Sequence, residues 1–304
     1  MSMLRIRDLR ELDATASVVR PASLDWADDT PESITLDIGC TFTFDVATPT
    51  QAVLMFEPPT GDNELIVASI VEVLQDGPVP SQVYVDVFGN RCRRVTFESG
   101  VVTIRYAAMV MVSDQPDLTV PTADVTEPTE LPDEALQFLL PSRYCEVDQL
   151  TDLAWTTFGA IQPGWARVQA ISDWTHERLA FRYGSSSPSH SAMTALASGE
   201  GVCRDFTHVA ITMCRALNIP ARYISGYLPD IGVPDPGTPM DFCAWMEVYL
   251  DGRWFTFDPR NNERRIGRVV IGRGRDAADV AMVTTFGPVV LRDMTVTAEL
   301  TPTL

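Results

Sequence analysis

The chain has 304 residues, 45% of them hydrophobic, which is ordinary for a globular protein of about two domains. A formal charge of −18 argues against nucleic acid and anionic membrane surfaces as partners, because both are polyanions. No run of about 18 apolar residues is present to span a bilayer, and six cysteines without a C-x-x-C pair make neither a disulfide scaffold nor an ordinary zinc site.

Residues 1–33 are polar and acidic, ending in "ADDTPES", and read as an N-terminal extension, partly disordered. The opening "MSMLRIRDLRELD" has no apolar core of a secretory signal, so a cytoplasmic address is the expectation. From Ile34 the text alternates: Ile34, Leu36, Ile38, Cys40, Phe42, Phe44 and Val46 are separated by Thr, Asp and Gly. Period two is the mark of a half-buried strand. "AVLMF" (52–56), "SQVYVDVF" (81–88), "RRVTFE" (93–98) and "VVTIRYAAMVMV" (101–112) continue it, with Gly89-Asn90 and Ser99-Gly100 as turns. Residues 34–112 are therefore predicted to form an antiparallel, sandwich-like β domain. Residues 113–150, rich in Pro and acids, read as a linker with one short helix near 132–140.

Residues 151–304 mix helices and strands. Trp165, Val168, Ile171, Thr175 and Leu179 recur at helical spacing within 163–181. "SAMTALAS" (191–198) predicts a short helix ending at Gly199, and a longer one follows Gly201 with Phe206, Val209, Met213 and Leu217 inward and Pro220 beyond its end. "ARYISGYL" (221–228), "CAWMEVYL" (243–250) and "RWFTFD" (253–258) read as strands. Asp251-Gly252 between the last two is a type I′ hairpin signal, which pairs Leu250 with Arg253 and makes Cys243 and Asp258 diagonal neighbours on one face. "IGRGRDAADVA" (271–281), with Arg273, Arg275 and Asp276, reads as a packed loop with internal ion pairs.

The chemistry concentrates at "GEGVCRDFTH" (199–208). Gly199 and Gly201 permit a tight turn into the helix, which puts Cys203 at its N-terminus. Unpaired N–H groups and the helix dipole there favour a thiolate and can hold an oxyanion. A buried structural cysteine is the competing reading. For Cys40, Cys92, Cys145 and Cys214, set among apolar neighbours, buried thiol is the simpler reading. Asp205 reads as a first-turn acid, and Trp245 and Trp254 as strand tryptophans able to line a cleft or fill a core.

"GEGVCRDFTH", "LNIPARYISGYLP" and "DFCAWMEVYLDGRWFTFDPR", in that order, resemble the bacterial transglutaminase-like family across most of residues 140–290. The resemblance implies an α+β fold with a papain-like core at 151–304 behind the β domain. It also implies a cysteine protease, amidase or transglutaminase activity on a peptide or protein amide, with no cofactor. By position it makes Cys203 the nucleophile and Asp258 the acid that orients a histidine base; Trp245, on the same hairpin, is the tryptophan expected to line a substrate cleft. The histidine position itself holds Cys243. A thiol of ordinary pKa near 8.5 is a poor base, and losing a positioned base removes roughly 10²–10⁴ of rate. The expectation is an impaired enzyme or a non-catalytic binding protein that keeps the cleft. Two facing thiols also admit a disulfide, or a metal held with Asp258.

The remaining histidines offer little replacement. His208 lies five residues after Cys203, about 140° round a helix, and so faces away. His176 falls on the polar side of its helix, and His190 lies in the "SSSPSHS" loop, the one open substitute.

Overall fold

The computed structural model describes residues 32–59 and 65–301. Most of the polar extension expected at 1–33 lies outside the described residues. The first seven elements to be met are β1 (Ser33–Val46), β2 (Thr50–Leu54), β3 (Leu65–Leu74), β4 (Ser81–Val85), β5 (Arg91–Phe97), β6 (Gly100–Ser113) and α1 (Asp133–Leu136). There follow α2 (Val147–Phe158), α3 (Trp165–Arg178), β7 (Ala180–Phe181), α4 (Ala192–Ser198), β8 (Glu200–Gly201), α5 (Cys203–Ala216) and β9 (Ala221–Tyr227). The chain ends with β10 (Cys243–Leu250), β11 (Arg253–Phe257), β12 (Val269–Gly274), β13 (Val283–Thr285) and β14 (Val289–Leu300).

Strands early and late in the chain build two antiparallel sheets, ordered β14-β1-β6-β3 and β13-β2-β5-β4. The alternation read in β1 is real: Leu36, Ile38, Cys40, Phe42, Phe44 and Val46 are all buried. Phe56, just past β2, packs on Tyr106 of β6 with ring centroids 5.7 Å apart, so the two sheets share a core. The third sheet, β11-β10-β9-β12, is antiparallel and carries α5 against it. α5 is buried almost throughout from Asp205 to Ala216, as the central helix of an α+β core.

Several elements differ from the sequence expectation. β3 was not expected, because "LIVASIVEVL" has only two polar residues, Ser69 and Glu72, and they do not alternate with the apolar ones. Nor was α2, although its buried residues Val147, Leu150, Ala154 and Phe158 do recur at helical spacing. The start of the segment expected as loop, 271–281, instead belongs to β12, which lies beside β9. Its glycine-rich text hides the strand, and Gly272 is needed there because a Cβ would come 2.7 Å from the Met55 sulfur.

Candidate functional site

The site begins with a turn that only particular residues permit. Gly199 closes α4 in the left-handed region at φ 70°, and β8 leads into α5. At Gly201 a side chain would meet Asp205, whose Cβ lies 2.7 Å from the position a Cβ would take. Asp205 is fully buried and accepts hydrogen bonds from the Val202 backbone N–H (2.8 Å) and the Ser186 hydroxyl (3.0 Å). It fastens the first turn of α5 and neutralises an orphan donor there. Arg204 adds a hydrogen bond to the Ser187 carbonyl at 2.6 Å, tying the helix start to the preceding loop.

This holds Cys203 as the first residue of α5, half-buried, at the base of a cleft of about 290 Å³. One wall is the proline-rich stretch before β10, including Val233, Pro234, Pro236 and Met240, and the far side carries Phe181, Arg260 and Asn261. Cys243, the first residue of β10, lines the same cleft. The Cys203 Sγ lies 4.0 Å from the carbonyl of Phe242, the residue before Cys243, and the two thiols perturb each other. Donation from the Cys243 thiol is the largest cause of a lowered Cys203 pKa; burial opposes it and the Ala244 backbone N–H adds to it. Asp241 and Asp258 act against it by their charge. The Cys243 thiol is correspondingly pushed well above the usual thiol range, first by its bond to Cys203 and then by burial.

The β10–β11 hairpin has the expected register, Leu250 opposite Arg253, with Asp251 and Gly252 at φ 44° and 77° as a type I′ turn requires. Asp258 follows the end of β11 and is buried. Its carboxylate accepts from the backbone N–H groups of Arg260 (3.1 Å) and Asn261 (3.0 Å), from the Asn261 amide (2.7 Å) and from the Arg268 guanidinium (3.0 Å). The Cys243 Sγ also lies 3.7 Å from the Ala244 carbonyl.

Arg268 was not singled out by sequence. It is buried, pairs also with Asp117 at 2.9 Å, and lies over the Trp245 ring at 4.8 Å. Its own pKa is raised, the Asp258 and Asp117 charges outweighing burial, the largest single effect. No spacing rule ties "RRIGR" to the hairpin, so nothing local could have identified it. Trp245 is 1% exposed and packs with Ile224, Val270 and Cys243. It is absent from the wall of the cleft that Cys203 opens into.

The histidines divide as follows. His208 is fully buried between the rings of Tyr144 and Tyr223, and its Nε2 accepts from the Ala277 backbone N–H at 3.2 Å. Burial first, then Arg204 and Arg215, hold its pKa well below the ordinary value, so it is neutral. His190 is also buried, and neither it nor His208 lines the cleft. His176 is exposed, and its Nδ1 lies 3.0 Å from the Arg260 carbonyl, bracing the segment after Asp258. In the 271–281 segment Arg275 pairs with Asp279 at 2.9 Å, and buried Asp276 accepts from the Tyr144 N–H at 2.8 Å. Among the described residues no cluster of three or more His, Cys, Asp or Glu side chains is arranged to hold a metal, and no helix is long and apolar enough to cross a membrane.

Comparison with known proteins places this geometry. Residues 152–259 match the model of the transglutaminase-like superfamily. The crystal structure of a candidate cysteine protease from Cytophaga hutchinsonii superposes with a TM-score of 0.81 at 30% identity, over 90% of this chain and 92% of that one. An uncharacterized protein of Mycobacterium tuberculosis is 32% identical over 170 residues, 52% of this chain and 54% of its own. An uncharacterized protein of Mycobacterium leprae is 32% identical over 117 residues, 38% of this chain and 42% of its own. The chain thus spans about half the length of the curated relatives it matches.

Proposed function

The chain belongs to the transglutaminase-like superfamily, and from that premise we propose that its cleft is built for acyl chemistry at a peptide or protein amide, impaired by Cys243. Cys203 is the nucleophile. Its thiolate attacks the amide carbonyl, and the N–H groups at the start of α5 face the negative charge that develops on oxygen. The leaving amine must then take a proton to give the thioester, and water must lose one to hydrolyse it. Those transfers are the work of a general base and acid. Cys243 lines the same cleft as the nucleophile, and its raised pKa keeps it protonated, so it cannot act as the base. Hydrolysis is preferred over crosslinking as the ancestral outcome.

One observation supports the impaired reading above the others: Asp258, the acid that would orient a histidine, is engaged by Arg268 at 3.0 Å. The same saturation favours the rival reading, a cleft that binds peptide without turnover. Replacing Cys243→His and measuring amide hydrolysis on a peptide library tests the proposal. The expected gain is about 10²–10⁴-fold, the usual worth of a positioned base. A folded variant with no gain but unchanged peptide binding leaves the non-catalytic reading. Brisk turnover by the unaltered chain refutes impairment.

A further inference from the structure

We propose that Cys203 and Cys243 form a two-thiol redox site that reduces a low-molecular-weight disulfide and ends as an intramolecular disulfide. The inference does not rest on the amide reading, since it needs the sulfur pair and no imidazole.

The pair is set apart from the other thiols. Both residues are free, half-buried and line one cleft, and the Cys203 Sγ lies 4.0 Å from the carbonyl of Phe242, the residue before Cys243. Cys40, Cys92, Cys145 and Cys214 are buried. Desolvation pushes Cys40 and Cys214 up to about 12, and Cys92 and Cys145 to about 11, so they stay as inert thiols. Both reactive cysteines stand at the first position of an element, and residues 228–242 before Cys243 belong to no helix or strand. The backbone on that side is not held in a ladder while the sulfurs close to bonding distance.

The charges around the pair fit two successive attacks. The α5 N-terminus, the Ala244 N–H and the Cys243 thiol support a Cys203 thiolate. The Arg268 guanidinium beside Cys243 favours its thiolate once the first sulfur is no longer charged. Asp241 and Asp258 oppose the first, and Asp258 the second.

The Cys203 thiolate attacks one sulfur of R–S–S–R. A Cys203–S–S–R bond forms, the S–S bond of the reagent breaks, and RS⁻ leaves with the electron pair and takes a proton from water. Cys243 then loses its proton and attacks the Cys203 sulfur, which expels the second RS⁻. Two protein thiols have been oxidised to one disulfide, and R–S–S–R has been reduced to two R–SH. Excess small-molecule thiol reverses the steps.

Glutathione disulfide, given to the full chain and then varied against reduced glutathione, tests this by alkylation and mass spectrometry. The expected product has lost two of its six thiols, carries no glutathione, and yields a peptide cross-linked between positions 203 and 243. Cys243→Ser is expected to stop at one glutathione on Cys203. Glutathione retained on the native chain without a cross-link, oxidation spread over the buried cysteines, or no reaction overturns the proposal. Because the native chain provides the main readout, a poorly folded variant does not blunt the test. Failure here leaves the Cys243→His test of amide hydrolysis untouched.

Discussion

At the scale of single residues, the decisive pair is two cysteines that stand 40 positions apart in the chain and line one cleft. Cys203 owes its lowered pKa chiefly to the Cys243 thiol, so removing that donor moves it in a known direction. Cys243→Ala raises the Cys203 pKa, leaves less thiolate at neutral pH and slows iodoacetamide labelling there. In the native chain labelling at pH 7 is faster at Cys203 than at Cys214, whose thiol is held near 12 by burial. Rates followed against pH by peptide mass spectrometry check both statements. A profile that Cys243→Ala leaves unmoved would show that the thiol pair does not govern the nucleophile. The residue-level roles were legible to different degrees. Position 203 at a helix start follows from its flanking glycines, whereas the burial of Trp245 and the Arg268 contact to Asp258 depend on segments that no local rule joins.

At the scale of elements, the start of α5 depends on one missing methyl group. Gly201→Ala drives a Cβ toward Asp205, which is fully buried and fixed by Val202 and Ser186, so the clash cannot be relieved by a swinging side chain. The expected cost is about 1–3 kcal/mol, as for other overpacked cores, read as a lower denaturant midpoint. Slower alkylation of Cys203 is expected to accompany it, because the helix N-terminus that favours its thiolate shifts. A variant with unchanged midpoint and labelling would mean that the turn is soft. The hairpin β10–β11 was readable to the residue, since a two-residue I′ turn leaves one register. β3 and β12 were not, because an apolar run interrupted only at Ser69 and Glu72 and a glycine-rich strand each lack the period-two signature on which strand reading depends.

At the scale of the whole molecule, the end of the chain returns to its beginning. β14 pairs with β1 from Val46↔Val289 to Leu36↔Leu300, and β13 pairs with β2. One buried apolar cluster runs from β1 through α5 to β10 and back to Val296 and Ala298. Polar ties reinforce it: Asn90 exchanges hydrogen bonds with the Arg273 backbone at 2.7 Å, and buried Arg215 bonds the carbonyls of Leu140, Ala221 and Arg275. Ending the chain after residue 286 therefore removes support from the first sheet, although the site residues lie elsewhere. Loss of Val296 burial alone is worth about 1.5–3 kcal/mol, and the β1 ladder adds to it. The melting temperature is expected to fall by several degrees; an unchanged midpoint would mean that β14 contributes nothing to the core.

By itself the sequence determined what is written in local spacing: the helix start at Cys203, the hairpin register and the alternation of β1. Those follow from backbone periods and turn chemistry that act over a few residues. Only the tertiary structure decided that Arg268 takes the Asp258 carboxylate, that Trp245 is buried with Ile224 and Val270, and that the last strands join the early sheets. Each of these is a choice among partners distant in the chain, made by which buried charge needs neutralising and which sheet edge is left to cover, and neither quantity exists until the chain has folded.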